Sequence, residues 1–129
     1  MKNQWIKVIT LGLCLVITMA SSAQVPEKVI TSLKTGNATT LSNYFNEKIE
    51  LVVLDKDNVY SKDQATQILA AFFRSNVPQR FSIIRQGGKE NARYAIGNLT
   101  TKTGIFRVYF LLNKKDGKAY IHRLKIEKQ

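Results

Sequence analysis

Residues 104–126, GIFRVYFLLNKKDGKAYIHRLKI, decide the fold. Phe106, Val108, Phe110 and Leu112 fall on one side of an extended chain, and Arg107, Tyr109 and Leu111 on the other. A one-residue slip would drive Arg107 into the interior, where an unpaired cation is costly, so the apolar set faces inward. Asp116-Gly117, between the two apolar runs, is the residue pair that a two-residue hairpin turn favours. The stretch therefore reads as two antiparallel strands, 105–112 and 119–126. Alternation carried back from Ile126 places Leu124 and His122 inside, and Lys125, Arg123 and Ile121 outside.

The period of two continues upstream, giving strands at 92–99 and 81–85 with Gly87-Gly88 as a turn or bulge between them. In the first of these, Ala92, Tyr94 and Ile96 read as inner and Arg93 and Ala95 as outer. Before residue 80 the period becomes helical. Ala65, Ile68, Leu69, Phe72 and Phe73 share one side of a helix that must bury it against a sheet. Ser61-Lys62-Asp63-Gln64 is a capping box at its start, and Asn76 and Pro78 end it. Residues 49–54, IELVVL, read as a strand, followed by a polar turn over Asp55-Lys56-Asp57-Asn58. Pro26 and Glu27 suit the first turn of a helix carrying Val29, Ile30 and Leu33, which Gly36 and Asn37 stop. A short second helix then runs through Leu41, Tyr44 and Phe45, capped by Asn37 or Thr39. Helices first and a run of antiparallel strands last define an α+β fold in one domain, residues 24–129.

Residues 1–23, MKNQWIKVITLGLCLVITMASSA, have the order of a cleavable export signal: Lys2 and Lys7, an apolar run from Val8 to Met19, then small residues to Ala23. The apolar run is well short of the roughly 20 residues that span a bilayer, so no transmembrane segment is expected in the mature chain. Cys14 is the only cysteine and lies within the signal, so the mature chain holds no disulfide and no cysteine metal site. A cysteine-free exported domain fits a bacterial periplasm or the cell exterior. Lys2 and Lys7 leave with the signal, and the formal charge falls from +11 to +9. Export makes nucleic acid a poor partner for this charge, and an anionic component of the cell envelope a better one.

Three segments and the closing hairpin carry a family resemblance: VPEKVITSLKTGNATTLSNYFNEKIELVVL (25–54), YSKDQATQILAAFF (60–73), GIFRVYFLL (104–112) and DGKAYIHRLKIEK (116–128). In their order the chain resembles the nuclear transport factor 2-like, or cystatin-like, superfamily. Within it, the chain resembles an uncharacterised group of secreted proteins from Bacteroidetes-type bacteria. The resemblance implies N-terminal helices packed on a curved antiparallel sheet to form a cone with an internal pocket. It carries no catalytic signature, and a fold shared by isomerases, dehydratases and binding modules selects none of their activities.

Two surfaces compete for function. An apolar small molecule inside the cone would touch Ile68, Phe72, Tyr94, Phe106, Val108 and His122. The outer sheet face would instead present Tyr109, Leu111 and Ile121 rimmed by Arg93, Arg107, Arg123 and Lys125, a basic and partly apolar patch suited to a homodimer or an anionic partner. A lyase or isomerase would need a second ionisable group within about 3 Å of His122. No such pair is legible, nor is a serine-hydrolase elbow, a phosphate loop or a metal-ligand spacing, so neither catalytic residues nor a cofactor or metal are expected. The outer face is the preferred reading, as a noncatalytic binding or interaction module.

Overall fold

The computed structural model describes residues 25–129, so the segment read as an export signal lies outside the described residues. Helices α1 (Glu27–Thr35), α2 (Ala38–Ser42) and α3 (Lys62–Ser75) pack on a curved six-stranded sheet. Its strands are β1 (Phe45–Val53), β2 (Lys56–Ser61), β3 (Pro78–Lys89), β4 (Ala92–Thr101), β5 (Gly104–Lys115) and β6 (Lys118–Lys128). Their order across the sheet is β2-β1-β6-β5-β4-β3. The α+β cone read from the sequence is therefore the fold observed. The sheet itself is mixed, because β1 runs parallel to β6 while the other four neighbouring pairs are antiparallel. No helix among the described residues is long and apolar enough to cross a membrane.

Helix α3 begins with the expected box: the Ser61 hydroxyl accepts from the Gln64 N–H, and the Gln64 side chain accepts from the Ser61 N–H, both at 3.2 Å. Ala65, Leu69, Phe72 and Phe73 are its buried side, set against β1, β2 and α2. Phe72 meets Phe106 of β5 edge to face at 5.1 Å and Phe73 at 5.7 Å. Phe106, Val108, Phe110 and Leu112 are all buried, as alternation requires. These rings and the aliphatic side chains of β1 and β6 fill the space between helices and sheet as one cluster.

Several boundaries differ from the sequence reading. Helix α2 stops at Ser42, and Phe45 opens β1 instead of closing a helix. The first hairpin turns at Leu54-Asp55, with Leu54 left-handed at φ 60°, so Lys56, Asp57 and Asn58 belong to β2. Gly87-Gly88 is not a turn: β3 continues through both to Lys89, and the chain reverses at Glu90-Asn91. The irregularities in β3 fall earlier, between Pro78 and Arg80 and between Ile83 and Arg85. Asp116-Gly117 does form the predicted turn, both residues having positive φ, 52° and 79°.

Cross-strand partners share a face, and that rule, with a bulge in β6, corrects six residue placements. Tyr94 pairs with Leu111 and Ile96 with Tyr109, so both lie on the outer face, while Ala95, Gly97 and Leu99 are the buried positions of β4. Arg93 pairs with Leu112, the inner parity, at the end of the sheet. Ile121 is fully buried and pairs with Leu112, and so leaves the outer set. The cause lies between Leu111 and Leu112, where the register of β5 and β6 shifts by one. His122 is the additional residue of that bulge. A bulge resets alternation, so Leu124 and Ile121 both point inward and His122 is released from the core.

Candidate functional site

The outer face of β4, β5, β6 and β1 is organised in rows of cross-strand partners. One row is Asn98, Arg107 and Glu127. The next is Ile96, Tyr109, Lys125 and Val52, and the third is Tyr94, Leu111, Arg123 and Glu50. Gly87 of β3 pairs with Tyr94, and the Tyr94 ring lies over it, so a methyl group built at Gly87 would meet the ring at 3.0 Å. A glycine read as a turn is instead the seat of an aromatic side chain.

Polar contacts tie the first row to the second and span the third. Arg107 Nε donates to Asn98 Oδ1 at 2.9 Å, and the Tyr109 hydroxyl donates to Glu127 Oε2 at 3.0 Å. Lys125 Nζ lies 3.3 Å from Glu127 Oε1 and 5.6 Å from the centre of the Tyr109 ring. Arg123 Nε is 3.1 Å from Glu50 Oε1. The hydrogen bond from Tyr109 holds the Glu127 carboxyl below its ordinary pKa against the opposing effect of desolvation, with Lys125 and then the charge of Arg107 adding to the lowering. Of the cations read from the sequence as an open basic surface, Arg123 and Lys125 are thus held by carboxylates of the same face and Arg107 by the Asn98 amide oxygen. These ion pairs are about one-third exposed, so each adds little stability, but together they fix the side-chain orientations.

Between these polar pairs lies an apolar strip. A cavity of about 200 Å³ is lined by Tyr94, Ile96, Tyr109, Leu111 and Arg123 among others. A second, of about 320 Å³, extends toward the end of the sheet along Ala92, Arg93, Tyr94, Leu111, Leu112, Asn113 and His122. Of the expected surface set, Arg107, Tyr109, Leu111, Arg123 and Lys125 are brought together. Arg93 lies at the end of the face and Ile121 is in the core.

The six residues expected around an internal ligand do not converge. Phe72, Phe106 and Val108 are core, Ile68 packs half-buried beside them, and Tyr94 and His122 lie on the other side of the sheet. Sequence reasoning passed over Glu50, Glu127, Asn98 and Ile96 as members of the outer face. Glu127 had a usable signal, since it stands two residues beyond Lys125 and so shares its parity. The described residues contain no group of three or more His, Cys, Asp or Glu side chains suited to a metal ion.

The profile of a family described as "Domain of unknown function (DUF4783)" matches residues 26–127. The crystal structure of a DUF4783 family protein from Bacteroides uniformis is 34% identical, with a TM-score of 0.78 over 82% of this chain and 98% of that one. A family protein from Bacteroides ovatus is 33% identical, with a TM-score of 0.78 over 81% and 96%. An NTF-2 like protein of unknown function from Silicibacter pomeroyi has a TM-score of 0.62 at 11% identity, over 80% and 88%, a likeness of fold alone. No curated protein matches the sequence.

Proposed function

The chain belongs to the DUF4783 family, and on that premise we propose that it is an exported, noncatalytic binding module whose outer sheet face docks a protein surface, that of a second copy first. The signal-like order of residues 1–23 supports export. The observation that carries the docking reading is the apolar strip of Tyr94, Ile96, Tyr109 and Leu111, which no described helix covers and which charges of both signs flank. A two-fold contact brings each patch against itself, so a face of one sign would repel its copy. Here Arg107, Arg123 and Lys125 are interleaved with Glu50 and Glu127, a pattern able to complement itself.

Light scattering of residues 24–129 at micromolar concentration tests the reading. The wild-type chain should be a dimer and Leu111→Asp a monomer with an unchanged circular dichroism spectrum. A monomeric wild-type chain would overturn it. An anionic envelope component is the second reading, favoured by the mature charge of +9. Under it, the double change Arg107→Ser and Arg123→Ser should weaken retention on anionic vesicles, and unchanged retention would exclude it.

A further inference from the structure

The bulge that releases His122 from the core also places it between two cavities with different linings. One is the apolar cavity of about 320 Å³ along Tyr94 and Leu111. The other, of about 220 Å³, is lined by Asn46, Asn113, Lys114, Lys115, Tyr120 and His122. Asn113 and His122 line both, so the two are adjacent at the end of the sheet.

Every side chain of the smaller cavity can donate a hydrogen bond, and none is acidic. Glu47 and Asp116, each adjacent in sequence to a lining residue, are not part of the lining. Among the described residues none of the six takes part in a side-chain hydrogen bond or an ion pair. The cavity is therefore lined by residues with unused donors, and neither Lys114 nor Lys115 has a carboxylate partner among the described residues. This differs from the outer rows, where the cations are already engaged. A dianion with three terminal oxygens matches two lysines and several neutral donors better than a carboxylate, which offers two oxygens and one charge.

We propose that this end of the sheet binds a phosphate monoester, its phosphoryl group among Lys114, Lys115, Tyr120 and His122 and its apolar or aromatic body along Leu111 and Tyr94. The phosphoryl cavity shares no residue with the docking strip or its ion pairs, whereas the body would rest on Tyr94 and Leu111 of that strip, so inorganic phosphate tests the phosphoryl site separately from the docking reading. Bulges recur where a strand must re-aim a side chain toward a ligand, and His122 is the residue this one re-aims.

Amide NMR titration of residues 24–129 with phenyl phosphate, inorganic phosphate and phenol tests it. Phenyl phosphate should shift resonances of both cavities and bind at least about 10-fold tighter than inorganic phosphate, a modest return for a partly buried ring. Phenol should bind more weakly still. Lys114→Gln with Lys115→Gln should weaken phenyl phosphate at least about 10-fold while the melting temperature and the oligomeric state stay unchanged. Tyr94→Ala should erase the advantage of phenyl phosphate over inorganic phosphate without weakening the latter. Equal affinity for phenol and phenyl phosphate, full binding by the lysine double variant, or no shifts with phenyl phosphate would overturn the proposal.

Discussion

Replacing Phe106 with Ala asks whether the cone is filled or hollow. Phe106 is 2% exposed, and its ring meets Phe72 edge to face at 5.1 Å. In a filled interior, Phe→Ala removes the transfer energy of the ring and leaves a void, together about 3–5 kcal/mol. The aromatic pair contributes about 0.5–1.5 kcal/mol of the interaction lost. At a urea slope of roughly 1.5 kcal/mol/M, the unfolding midpoint should fall by about 2–3 M. A domain holding only about 5 kcal/mol would barely survive that loss, so Phe106→Leu, which keeps most of the apolar volume, is measured beside it. Leu should fall between wild type and Ala with the same slope. If Phe106 instead formed one wall of an open ligand pocket, the ring would already lack partners on one side, and its removal would create little new void. A cost below about 2 kcal/mol for Phe106→Ala would therefore refute the filled cone and revive an internal site.

Two further outcomes follow from the geometry. Tyr109→Phe removes the hydrogen bond to Glu127, so the carboxyl should titrate at higher pH when followed by side-chain carbon NMR; an unmoved midpoint would count against that bond. Because the folded carboxyl is depressed, its stabilising contribution is present above the unfolded value of about 4.3 and is lost as pH falls through the folded one. The stability gap between wild type and Tyr109→Phe should accordingly close in acid. At Gly97, a methyl group would overlap the buried Phe81 ring and lie 2.8 Å from the Ser82 carbonyl oxygen. Gly97→Ala should cost about 1–3 kcal/mol, and an unchanged calorimetric melting temperature would show that the ring yields freely.

How far the fold was legible depended on whether one face of an element was plainly polar. In β5, Arg107 settled the register, and in α3 the Ser61–Gln64 box marked the start. In β4 both parities are apolar: Tyr94 and Ile96 on one, Ala95 and Leu99 on the other. Alternation alone could not choose, and small Ala95 and Gly97 won the inner side because the Phe81 ring occupies the space above Gly97. The bulge at His122 was hidden for a related reason. Neither Gly nor Pro marks it, and His122 reads equally well on either face. The parallel pairing of β1 with β6 joins segments some 75 residues apart in sequence, which no local pattern encodes. The outer site was half legible, because its cations could be read from β5 and β6. Their partners Glu50 and Asn98 come from other strands and had to await the register.

The outermost strands β2 and β3 leave backbone donors and acceptors without a neighbouring strand. Two kinks interrupt the twelve residues of β3, and Pro78, Arg80, Arg85 and Lys89 are spread along it. A proline and kinked, cationic backbone make a poor template for another chain to extend, which is how natural sheets resist fibre growth. For a domain that, on the proposed export, would reach its compartment unfolded and complete its core among many identical neighbours, this discourages endless stacking through the rim.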